Sequence, residues 1–127
     1  MACAILPAFS NVSASTTDSV IVTGVSGKCI RVKQFQMVAG SSATNVTFNS
    51  MGSGAGTAIS PIYQNGSNGG AVAPFADYGW IFTNPGESLT VTTGSGSTVG
   101  ILVGYDLIWK SISVFPQSVD MNYSGSP

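Results

Sequence analysis

The chain has 127 residues, which is the size of one domain. Only 7% of them are charged, four basic and five acidic, and there is no histidine; a typical chain is ~25% charged. Phosphate neutralisation needs clustered Lys or Arg, so a nucleic-acid partner is not expected. The absence of histidine removes Ser-His-Asp and Cys-His nucleophiles and His metal sites.

The chain opens on an apolar patch, Ile5, Leu6 and Phe9, followed by a Ser/Thr-rich stretch. It lacks a basic n-region and carries Pro7, so it does not read as a secretory signal. Val20 to Val25 is the first β-prone run and ends at Ser26-Gly27. Cys29 to Val38 is a long strand whose phase changes near Lys33-Gln34. Ile30 and Val32 share one face and Phe35 and Met37 the other, which predicts a β-bulge. Asn45 to Phe48 follows a Gly40-Ser-Ser42 break. After the loop Gly52 to Gly56, Ile59 to Tyr63 is a short strand whose Pro61 suits an edge. Asn65 to Gly70 is a turn, and Ala71 to Phe75 a short strand. Trp80 to Phe82 follows an Asp77-Tyr-Gly79 turn, and Asn84-Pro-Gly86 is another turn. Leu89 and Val91 alternate with Thr90 and Thr92. Val99 to Trp109 is the second long strand, and Ser111 to Phe115 could add one more.

This pattern predicts an all-β, antiparallel sandwich or barrel of about eight strands with no significant helix. The expected organisation is an N-terminal arm over residues 1–18, a β-sandwich domain over 19–115 and a C-terminal tail over 116–127. No apolar run reaches the ~18–20 residues of a helical membrane span, and no membrane partner is expected. Cys29 sits mid-strand, where a thiol behaves as a small hydrophobe, so Cys3 and Cys29 read as free buried thiols ahead of a disulfide.

Little in the chain points to chemistry. Gly24 to Lys28 ends in Gly-Lys, but Val22 stands where a P-loop needs glycine and Cys29 where it needs Ser or Thr. No clustered Asp motif suggests calcium. Asp77 and Asp106 are the carboxylates that could face each other across a sugar, though turn and ion-pair roles account for both. The expectation is no enzyme, no cofactor and no metal. Tyr78 and Trp80, close to a turn, are candidates for a sugar-stacking platform. So few charges leave little to keep copies of a soluble monomer apart, which favours life inside an assembly.

Five stretches carry a resemblance: Gly27-Lys-Cys-Ile-Arg-Val32, Thr44-Asn-Val-Thr-Phe48, Gly69-Gly-Ala-Val-Ala-Pro-Phe75, Gly79 to Leu89 and Val99 to Tyr105. Together they resemble small virion structural proteins of tailed bacteriophages. The resemblance covers most of residues 19–108 and leaves both ends outside. It implies a jelly-roll-like sandwich and a capsid decoration (cement) protein on the exterior of the virion. The implied partners are the chain itself, as a homotrimer, and the major capsid protein. Ile5, Leu6, Phe9, Trp109, Phe115, Met121 and Tyr123 are the expected assembly contacts. The alternative is a tail- or fibre-associated receptor module touching host glycan through loops 52–58, 64–70 and 76–79.

Overall fold

A computed structural model describes residues 5–109. Ten strands run in chain order: β1 (Leu6–Val12), β2 (Ser19–Val22), β3 (Lys28–Ala39), β4 (Thr44–Met51), β5 (Thr57–Ala58), β6 (Tyr63–Asn65), β7 (Gly70–Ala73), β8 (Ile81–Phe82), β9 (Ser88–Thr93) and β10 (Val99–Trp109). No helix occurs among the described residues. The first sheet has the order β1-β10-β3-β7, with β8 also on β3. The second has the order β2-β9-β4-β5, with β6 also on β4. Every pairing is antiparallel. The pairs are nested: β1 with β10, β2 with β9, β3 with β7 and β8, β4 with β5 and β6. That is one long antiparallel hairpin rolled into two layers, a jelly-roll-like sandwich.

The core lies between the layers. Ile30, Val32, Met37, Val99 and Val103 come from the first sheet and Val46, Phe48, Leu89 and Val91 from the second, all almost fully buried. Phe35, Phe48 and Tyr63 pack as an aromatic trio with ring centroids 5.1–6.2 Å apart. Each fully buried side chain of this size contributes about 1.5–3 kcal/mol of transfer free energy. Among the described residues, every buried side-chain nitrogen or oxygen has a hydrogen-bond partner. The Asn65 amide, for example, donates to the Thr44 carbonyl at 3.3 Å.

The expected bulge is present. Gly104 pairs with Gln34 and Tyr105 with Val32, so Lys33 is the extra residue on β3. This keeps Ile30 and Val32 on the same face as Phe35 and Met37. Asn84-Pro-Gly86 is a tight turn, closed by Glu87 N–H on the Asn84 carbonyl at 3.1 Å, with Gly86 at φ +79°.

Two stretches differ from the sequence reading. Within residues 1–18, Leu6–Val12 is a strand hydrogen-bonded along its length to β10. Its Pro7 and small residues hide the signal, and the edge position tolerates both. Ile59–Tyr63 is not one strand: β5 ends at Ala58 and β6 begins at Tyr63. Pro61 has no N–H for a ladder. The Ser60 hydroxyl fills the gap, accepting from Phe48 N–H at 2.9 Å and donating to the Pro61 carbonyl. Ser111 to Phe115, the tail 116–127 and Cys3 lie outside the described residues.

Candidate functional site

Strand alternation sends every second residue of the first sheet away from the core. Register then aligns those residues across strands. Phe9 lies beside Leu102, Leu102 beside Gln36, and Gln36 beside Val72. The next row is Asn11, Gly100, Val38 and Gly70. Phe9 is 78% exposed, Val72 72% and Val38 57%. The two rows hold no charged residue. A hollow of about 250 Å³ opens between them, over Gly100 and beside Phe9, Val38 and Leu102. A smaller one of about 130 Å³ lies between Gln34, Gln36, Val72 and Pro74. The Gly100 contribution is the missing side chain: a Cβ there would stand 3.3 Å from the Asn11 amide oxygen.

The other half of this face holds charges paired among themselves. Arg31 grips Asp106 through two hydrogen bonds, Nε to Oδ1 at 2.9 Å and Nη2 to Oδ2 at 2.6 Å. The bulged Lys33, buried along its stem, places Nζ 3.4 Å from Asp106 and 3.5 Å from Asp77. Two cations and two carboxylates therefore neutralise one another. Partial burial works to raise the Asp106 pKa, but the Arg31 hydrogen bonds and the charges of Arg31 and Lys33 outweigh it and hold the carboxyl below its ordinary value. The same hydrogen bond raises Arg31. The fold thus brings together Asp77 and Asp106, the carboxylate pair named from the sequence, but joins them through Lys33. A carboxylate held ionised in this way is a poor proton donor.

Above this node the β7–β8 connection displays Phe75, Tyr78 and Trp80, each half or more exposed, and β8 adds Phe82 at 46%. The Trp80 indole N–H donates to the Pro74 carbonyl at 2.7 Å, which fixes the ring. Lys33 Nζ lies 5.6 Å from the Phe75 ring centroid. Gly79 has φ +88°, and a Cβ there would meet Arg31 Cγ at 2.5 Å, so only glycine turns the chain at this point. The three loops expected to form a glycan surface do not converge. Loop 52–58 leaves the Met51 end of β4, whereas 64–70 leaves its Thr44 end, where Thr44 pairs with Asn65.

The contact candidates scatter less. Phe9 sits in the apolar row, and the Ile5 side chain reaches the same face next to Gly104. Leu6 is half exposed at the sheet edge. Trp109 ends β10 with the Lys28 ammonium 4.5 Å over its ring. Phe115, Met121 and Tyr123 lie outside the described residues. Sequence reasoning missed Val38, Val72 and Leu102. Their signal was present: Val38 and Leu102 stand out of phase with the core positions of their own strands.

The second sheet's outer face is different. Asp18 accepts hydrogen bonds from the Asn49 amide (3.2 Å), the Thr90 hydroxyl (3.0 Å) and Gly56 N–H (3.0 Å). The Asn49 amide also donates to Thr92 Oγ1 at 2.9 Å. Glu87 accepts from the Ser50 hydroxyl at 2.6 Å and from the Asn84 amide. Each of the four described carboxylates is thereby engaged. Cys29 is a free, half-buried thiol, and burial raises its pKa. No group of three or more His, Cys, Asp or Glu among the described residues could hold a metal ion. The chain has no significant match to a protein-family model, a curated protein or a solved structure.

Proposed function

We propose that this chain is a structural component of a multi-subunit shell, of the capsid decoration type that its sequence resembles. It would sit on the virion exterior and bridge neighbouring copies of the major capsid protein. The observation that carries the reading is the outer face of the first sheet: two uncharged rows with Phe9, Val38 and Val72 open to solvent. Soluble monomers rarely leave such a patch uncovered. The charges next to it cancel in the Arg31–Asp106–Lys33–Asp77 node, so nothing on the face repels a partner of either sign. The mechanism needs no chemistry. Each bridged contact adds interface, and binding that favours the closed shell raises the cost of separating its subunits.

The test is sedimentation of the purified chain with undecorated, expanded shells and, separately, with host cells. Saturable binding to shells that raises their melting temperature is expected. Binding to cells or isolated surface glycans, with none to shells, overturns the reading. That outcome would favour the second one, a glycan-binding module built on Tyr78 and Trp80. The observation favouring it is the fixed Trp80 ring beside the 85% exposed Tyr78.

A further inference from the structure

The uncharged half of the first sheet's outer face carries a knob and a hollow side by side. The knob is Phe9, 78% exposed on the edge strand β1. The hollow, about 250 Å³, lies over Gly100 on the neighbouring strand, walled by Asn11, Val38 and Leu102. Cavities of about 150 Å³ accept a benzene ring, so the hollow has room for a phenyl group. Phe9 lies on the rim of this hollow without filling it.

A surface that holds a knob and its matching hollow in one patch is self-complementary. The operation that satisfies such a patch is a two-fold rotation, in which each copy gives what it receives. A three-fold ring would need the knob and the hollow on different flanks of the subunit. We infer that two copies of this chain pack these faces together about a two-fold axis, each Phe9 ring seated over the other's Gly100. Phe9 and Gly100 lie diagonally, two residues apart in register on neighbouring strands, so the axis would lie in the interface midway between them and oblique to the strands. Two sheets facing each other at about 10 Å is ordinary sandwich packing. Electrostatics permits it, because the two rows are uncharged and the charged node is neutral. The inference rests on the reading that this face is covered in an assembly; it names the occupant as a second copy.

The experiment is the mass of the full chain by light scattering across a concentration series, for the wild type, Phe9→Ser, Gly100→Leu and the off-patch control Tyr78→Ser. The wild type and Y78S are expected to be dimers. F9S removes the knob and G100L fills the hollow, and each should raise the dissociation constant at least tenfold. Phe9 is too exposed for F9S to unfold the domain, and an unchanged far-UV spectrum checks this. A wild type that stays monomeric, an assembly of any order other than two, or a dimer indifferent to both variants overturns the inference. The first of these would leave the face to the shell or to residues 110–127. Failure of the shell reading looks different: a dimer that ignores shells sinks the shell role and keeps the pair, and a shell-binding monomer does the reverse.

Discussion

The two outer faces of this sandwich are made by the same alternation and carry opposite solutions. On the second sheet the outward residues, apart from the exposed Val20 beside Thr90, are chiefly hydroxyls and amides gathered around Asp18, which takes hydrogen bonds from Asn49, Thr90 and Gly56. That face satisfies itself: Thr90 is fully buried although it points away from the core. On the first sheet the outward rows are Phe9, Leu102, Gln36 and Val72, then Asn11, Gly100, Val38 and Gly70, and Phe9, Val38 and Val72 are more than half exposed. Among the described residues, one face is finished and the other is not. On the proposed reading the polar face serves stability and the apolar one recognition, and substitutions on the two should separate these roles.

The largest effect is expected on the finished face. Asp18→Ala strands the buried Thr90 hydroxyl and Gly56 N–H and leaves the Asn49 amide with Thr92 alone, which should cost about 2–4 kcal/mol. Thermal unfolding should fall by roughly 10 °C, with shell binding and self-association retained in the folded fraction. Loss of association at temperatures where the domain is folded would erase the division between the faces.

Next comes the charged node. Arg31→Met leaves Asp106 with Lys33 alone, and a cost of about 1–2 kcal/mol is expected for a pair still in partial contact with water. It carries a pH signature. Because the folded-state pKa of Asp106 is depressed, its contribution is present above the ordinary carboxylate range near about pH 4 and is lost as pH falls through the folded value. Urea unfolding of the wild type between pH 7 and pH 3 should show this loss, and R31M should show a shallower acid limb. An unchanged limb would remove Arg31 from the account.

On the unfinished face, Val38→Thr should alter stability by no more than about 0.5 kcal/mol, because the side chain is already exposed. It should nonetheless weaken association, since it puts a hydroxyl on the wall of the hollow. A stability loss well above that bound would mean the row supports the monomer. The smallest effect concerns Cys29. Burial raises its pKa, so alkylation at pH 8, read on the peptide that contains it, should be a few-fold slower than for the urea-unfolded chain.

Much of this fold was legible one strand at a time. Val99 to Trp109 has the expected bounds, and the phase change at Lys33-Gln34 marked the bulge before any partner strand was known. Asn84-Pro-Gly86 declared its turn because Pro and Gly each supply a required dihedral. What stayed hidden depends on two strands at once. The edge strand β1 has no strong alternation of its own and is held by its hydrogen bonds to β10. Ser60 standing in for a ladder partner of Phe48 cannot be read from Ser60. The same holds for the candidate site. Phe9 was named from the sequence within the apolar patch Ile5, Leu6 and Phe9, but its row with Leu102 and Val72 exists only once register is set. The shared Lys33 between Asp77 and Asp106 likewise needs the bulge to aim it.

The nesting of the strand pairs also sets an order in time. The innermost pair, β4 with β5, closes across the short loop 52–56, whereas β1 can meet β10 only after nearly the whole domain lies between them. Closure entropy rises with the length of chain enclosed, so the roll should zip from its middle outward and β1 should dock last. Weakening the β4–β5 region should slow folding, and weakening β1 should chiefly speed unfolding. The knob Phe9 rides on that last strand. A chain still on its way to the native state therefore lacks the completed patch, and the proposed pairing between copies would be deferred until each has closed its own roll.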